Sequence, residues 1–138
     1  MSEFAIVTGD EPVYTVDAHH KVGILVQDFK FEFFLNGKLH VIDVQHGFEW
    51  DGMSIPRIAW ASVGCPFGPR HVLSGLIHDY LYTKKLLKRK QADELMDAIL
   101  KSRGEGRYAR FKIYRSVRLF GGFAWSKAGS KKPISRAI

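Results

Sequence analysis

The sequence predicts an α+β fold in which an N-terminal antiparallel β-hairpin sheet packs against about three C-terminal helices. Three observations carry that expectation. Phe29, Phe31 and Phe33 alternate with Lys30 and Glu32, the period of a half-buried strand. Asn36-Gly37 then supplies the two positive-φ positions of a tight hairpin turn, and Leu39 to Val44 returns as the partner strand. After Pro69 the apolar period becomes helical and stays so almost to the end of the chain.

Upstream of the hairpin, Val13 to Val16 and Val22 to Val26 read as short strands separated by the polar step Asp17 to Lys21. The stretch from Gly47 to Pro69 contains four Gly and three Pro and no sustained period. A loop of that length inside a compact domain is more often functional or specialised than idle. A first helix is expected over about residues 70 to 82, from the spacing of Val72, Leu73, Leu76, Ile77, Tyr80 and Leu81. A second runs from about Lys90 to Arg103, with Gly104 where a C-terminal stop belongs. A third, about Arg107 to Ala124, places Ile113, Val117, Phe120 and Ala124 on an inward side and Arg107, Lys112, Arg115 and Arg118 on an outward basic side. The expected organisation is one α+β domain over residues 1–125 and a flexible basic tail over 126–138.

A chain of 138 residues with 46% hydrophobic content is long enough for one core and too short for two ordinary domains. The single cysteine, Cys65, excludes an internal disulfide, and no Cys-x-x-Cys pair suggests structural zinc. The start of the chain does not read as an export signal and no run of eighteen apolar residues occurs, so no transmembrane segment is expected. The net charge of +7 is segregated: residues 1–83 carry five Lys/Arg against ten Asp/Glu, and residues 84–138 carry sixteen against four. A basic half of that kind is drawn to phosphate, in an anionic membrane surface or in nucleic acid bound without sequence preference, or to an acidic protein surface.

The chemistry-bearing stretch is "GLIHDYLY", residues 75–82. A connection of about seven residues makes the first two helices neighbours. At about 1.5 Å rise per residue, His78 near the end of the first and Asp93 near the start of the second reach the same height and face one another. Tyr82 lies one turn beyond His78 on the same side. Such a pair can serve as a general base and the carboxylate that orients it, with Asp79, about 100° around the helix, left as an oxygen ligand for a hard cation. It can equally be a structural clasp, since buried polar groups usually satisfy one another without doing chemistry. His71 is two turns from His78, too far for a shared metal. His19, His20 and His40 are expected to face solvent, and nothing in the spacing of His46 singles it out. Cys65 lacks a neighbouring base, and Ser54 lacks the glycines of a nucleophile elbow. Asp51 and Ser54 read as a turn that can still cover the His-Asp helix, anchored by Trp50 and Trp60.

Two resemblances add to this reading. "WDGMSIPRIAW", "IHDYLY" and "KQADELMDAIL", followed by "YRSVRLFGGFAW", resemble in that order the hallmarks of the phage- and prophage-borne domain of unknown function 1353. That resemblance implies a phage origin and no particular activity. His78-Asp79-x-x-Tyr82 followed by Ala92-Asp93 is similar, over about twenty residues, to the active-site signature of calcium-dependent phospholipases that cleave the sn-2 ester, especially the disulfide-free version in parvovirus capsid proteins. It implies His78 as general base, Asp93 as its orienting carboxylate, Tyr82 as a supporting hydrogen bonder, Asp79 as a calcium ligand and a phospholipid ester as substrate. The likeness departs where those enzymes carry a Gly-rich calcium loop: Gly64 to Gly68 and Asp51-Gly52 are the nearest counterparts, and neither matches in sequence or spacing.

The expectation is therefore a phage-encoded, metal-assisted His-Asp hydrolase of phospholipid esters. It is set against a non-enzymatic virion or assembly protein with a structural clasp, and against a basic-face binder of nucleic acid or of a host protein. The implied setting is the host cytoplasm during infection, or the virion.

Overall fold

The computed structural model describes residues 2–17, 22–51 and 67–128. Six strands, β1 (Phe4–Ile6), β2 (Tyr14–Val16), β3 (Gly23–Leu25), β4 (Phe29–Leu35), β5 (Lys38–Val44) and β6 (Glu49–Trp50), precede three helices, α1 (Val72–Lys84), α2 (Arg89–Ser102) and α3 (Arg107–Ala128). The α+β expectation holds, with one refinement. The strands form two antiparallel three-stranded sheets, ordered β1-β4-β5 and β2-β3-β6, in place of one.

The β4–β5 hairpin is built as its sequence dictates. Phe29, Phe31, Phe33 and Leu35 are buried, whereas Lys30 and Phe34 between them are exposed. Asn36 and Gly37 take φ of 51° and 83°, the left-handed pair that matches the strands' twist, and Leu35 pairs with Lys38 across the turn. β1 and β6, with three and two residues, are too short to show a period. β1 is defined by its partner: Phe4 to Ile6 pair with Leu35 to Phe33, and Thr8 extends the contact, its hydroxyl accepting the Glu32 N–H. β6 closes the second sheet through Trp50 opposite Gly23.

The helices follow the sequence closely, and their ends show why they stop. α1 runs two residues past the expected position and ends at Lys85, which adopts φ of 54° and donates its N–H to the Leu81 carbonyl. α2 starts with the Gln91 side chain accepting the Lys88 N–H and ends at Ser102, with Arg103 as its cap and Gly104, φ 88°, turning the chain away just beyond. α3 is four residues longer than expected and takes in residues 126–128. Phe31, Phe33, Phe48, Trp50, Leu76 and Ile77 form part of a continuous core between sheets and helices. Tyr80 ties α1 to the first sheet, donating its hydroxyl to the Asp43 carbonyl at 3.2 Å. Arg103, at the end of α2, binds the Thr8 and Asp10 carbonyls and Glu11.

One outward and one inward assignment change. His40 stacks on Phe33, with ring centroids 5.3 Å apart, because the pleat turns it onto the β4 face. Phe120, expected inside α3, is exposed; the helix docks through Ile113, Val117 and Gly121, which leaves Phe120 on the outer shoulder.

Gly23 is the tightest point of the second sheet. A Cβ there would lie 2.9 Å from both the Phe67 and the Trp50 rings, and those rings are core and have little room to yield. Gly23→Ala is expected to destabilise the fold by about 1–3 kcal/mol, measured as a lower urea midpoint at unchanged slope.

Candidate functional site

α1 brings His78 and Tyr82 to one side, one turn apart, and their rings lie 4.2 Å apart. α2 places Asp93 one turn in from its start, opposite both. The His78 Nε2 is 2.7 Å from Asp93 Oδ1, and the Tyr82 hydroxyl donates to the same oxygen at 2.6 Å. The sequence brought these three residues together correctly. The fourth member is Arg118 of α3, which donates to Asp93 Oδ2 at 2.7 Å. It is therefore not part of a free basic face: a buried carboxylate offers it a better partner than water does. Arg107, Lys112 and Arg115 remain on the outer side of α3, with Lys112 over the Tyr108 ring at 4.5 Å.

A second arginine escaped the sequence analysis. Arg89 donates through Nε to the Tyr82 hydroxyl at 3.2 Å and through one terminal nitrogen to the Val117 and Arg118 carbonyls at 2.9 Å each. α3 approaches this cluster through Gly121, where a Cβ would lie 2.7 Å from the Tyr82 hydroxyl. Trp125, one turn on, closes edge-on over the Tyr82 ring at 5.0 Å. The only signals in the sequence were the Gly121-Gly122 pair inside a helix and an arginine at a helix start, and neither names its partner.

The side chains of His78 and Asp93 are 1% and 0% exposed. Burial alone would raise the Asp93 pKa; the hydrogen bonds from His78, Tyr82 and Arg118 and the charge of His78 outweigh it and hold the carboxyl below its ordinary value. Tyr82 moves the other way, pushed up first by burial and then by Asp93, so it remains a phenol donor. The tautomer of His78 follows. An ionised carboxylate only accepts hydrogen bonds, so Nε2 carries the proton and, in the neutral ring, the lone pair lies on Nδ1.

The remaining predicted positions are dispersed. Asp79 is half-buried on the neighbouring side of α1. Among the described residues no group of three or more His, Cys, Asp or Glu side chains is placed to hold a metal, so they do not by themselves make a calcium site around Asp79. Gly68 uses its carbonyl at the start of α1, accepting the His71 and Val72 N–H groups. Asp51 is exposed just after β6. Ser54, Gly64, Cys65, Trp60, His19 and His20 lie outside the described residues. His46 pairs with Asp28 at the surface. His71 forms a second buried imidazole–carboxylate pair, with Glu105 in the α2–α3 connection, and Arg70 stands 3.8 Å from the same carboxylate.

Because its folded pKa is depressed, Asp93 contributes stability that is present above its unfolded value, near 3.8, and lost as pH falls through the folded one. Asp93→Asn is expected to cost about 3 kcal/mol at neutral pH, since it leaves donors from two helices facing an uncharged group. It should also flatten the acid limb of a pH–melting curve, leaving the share from Glu105, which burial raises but His71, the Gly106 N–H and Arg70 hold low.

No curated protein and no solved structure matches the chain. A family model described as "Protein of unknown function (DUF1353)" matches residues 25–117, which span β4 to the first half of α3 and include His78, Tyr82, Arg89 and Asp93. Since the match covers about two thirds of the chain, this protein belongs to the DUF1353 family.

Proposed function

We propose that the protein is a phage-encoded hydrolase in which His78 is the general base and Asp93 the carboxylate that orients it. One observation carries the reading: a single oxygen of a buried, ionised carboxylate receives both the His78 Nε2 and the Tyr82 hydroxyl. That arrangement fixes the ring and directs its basic nitrogen, Nδ1, away from Asp93. Asp93 then stabilises the imidazolium formed when Nδ1 takes a proton. Tyr82 and Arg118 hold Asp93 ionised and in place.

The substrate class is a carboxylic ester, and a phospholipid is the form the active-site resemblance implies. His78 Nδ1 removes a proton from water as the water oxygen bonds to the ester carbonyl carbon. When the tetrahedral intermediate collapses, the bond from that carbon to the alkoxy oxygen breaks, and the proton on Nδ1 passes to the departing alcohol. Atoms and charge balance with no group beyond water. Asp79 is retained as a ligand for calcium, and no step is routed through the ion.

A second reading, a virion or assembly protein with a structural clasp, is favoured by the near-complete burial of the His78 and Asp93 side chains. The readings separate on His78→Asn, which retains a polar group beside Asp93. Fatty-acid release from phospholipid vesicles that falls at least about a hundredfold, with a melting temperature close to wild type, supports the hydrolase. Absence of release from the wild-type protein, with a melting temperature lowered in the variant, assigns the pair to the clasp. Calorimetry of calcium with wild-type and Asp79→Asn protein is expected to show uptake lost in the variant.

A further inference from the structure

α3 is two-faced. Its inner side carries Ile113, Val117 and Gly121 into the core and Arg118 onto Asp93. Its outer side is the most apolar surface among the helices: Leu119, Phe120 and Phe123 are 64, 60 and 76% exposed. Their spacing of one, three and four residues gathers them on the outward side of the second half of the helix. Tyr108 and Phe111 are likewise exposed in the first half, beside Lys112 and Arg115. Contiguous exposed apolar side chains of this size mark an interaction surface.

We propose that this outward face of α3 docks on an anionic phospholipid bilayer. The charge identifies the occupant. Residues 107–128 contain six Lys/Arg and no Asp/Glu; Arg118 and Arg110 are held by Asp93 and Asp97, which leaves Arg107, Lys112 and Arg115 on the outer side, and residues 129–138 add three more basic residues and none acidic. A second copy meeting this face with its own would bring like charges together, which opposes symmetric self-association. A bilayer with negative headgroups supplies both complements at once, phosphate for the basic residues and acyl chain for Leu119, Phe120 and Phe123. The opposite sign of the N-terminal half, five Lys/Arg against ten Asp/Glu over residues 1–83, turns the helical half toward such a surface. Nucleic acid fits less well: it matches the charge, but an aliphatic Leu119 amid the ring cluster offers no base-stacking platform. No helix among the described residues is long and apolar enough to cross a membrane, so the contact is interfacial. The inference concerns the side of α3 away from His78 and does not depend on hydrolysis.

The test uses the full chain and vesicles of ether-linked phosphatidylcholine with or without ether-linked phosphatidylglycerol, neither of which has a fatty-acid ester to cleave. Wild-type protein is expected to co-sediment with the anionic vesicles and much less with neutral ones. Phe120→Ser combined with Phe123→Ser should weaken that partitioning at least about tenfold while leaving the circular dichroism melt unchanged. As a second readout, Phe123→Trp should be quenched by brominated alkyl chains of the same ether lipids beyond the wild-type signal. The proposal is overturned if the double variant sediments like wild type, if Phe123→Trp shows no added quenching, or if the wild-type protein ignores both vesicles. In the last case a shift of single-stranded DNA would assign the face to nucleic acid, and a dimer lost in the double variant would assign it to a second copy.

Discussion

The helical half of the molecule is organised around one buried carboxylate. Asp93 has no exposed surface, so its charge is tolerable only if its oxygens are fully engaged. Three donors from two other elements meet it: His78 and Tyr82 from α1, Arg118 from α3. Each donor fixes the position of the helix that carries it, so the polar cluster sets the register in which the apolar faces of the three helices close. Apolar packing alone specifies that helices bury their stripes; it tolerates sliding by a fraction of a turn, whereas hydrogen bonds near 2.7 Å do not.

Arg89 and Gly121 extend the constraint. The guanidinium reaches from the start of α2 to two carbonyls of α3 and to the Tyr82 hydroxyl, filling the space that a side chain at position 121 would occupy. A glycine within a helix weakens it by about 1 kcal/mol relative to alanine. Here that cost is offset by the close approach of α3 to the cluster, which brings Arg118 within reach of Asp93. The same docking decides what α3 shows outside. Once Ile113, Val117 and Gly121 face the core, Leu119, Phe120 and Phe123 have no inward option, and the outer surface of the helix carries them beside its basic residues. The inner chemistry and the outer apolar face are thus two consequences of one helix rotation.

The two sheets contribute differently. The β1-β4-β5 sheet presents a row of Phe side chains to the core, and the β2-β3-β6 sheet packs Trp50 and Phe67 over a glycine. Tyr80 links the first of these layers to α1, and because it lies between His78 and Tyr82 it shares the helix that holds the cluster. A strained or displaced sheet would therefore be felt at the His78 ring through α1.

The sequence by itself determined the elements governed by local periodicity and turn chemistry: the β4–β5 hairpin, the three helices to within a few residues, and the α+β class. It also placed His78, Tyr82 and Asp93 together, because their spacings are fixed by the helix and the connection between helices is short. Only the tertiary structure decided what depends on how distant elements meet. β1 and β6 exist as strands because partners far along the chain supply their hydrogen bonds. Arg118 left the basic face for Asp93 and Phe120 left the core because the rotation of α3 is set by packing against α1 and α2, and a pattern read along one helix cannot fix that angle. Arg89 and Gly121 were silent for the same reason: an arginine's reach and a glycine's vacancy acquire meaning only from the group that approaches them.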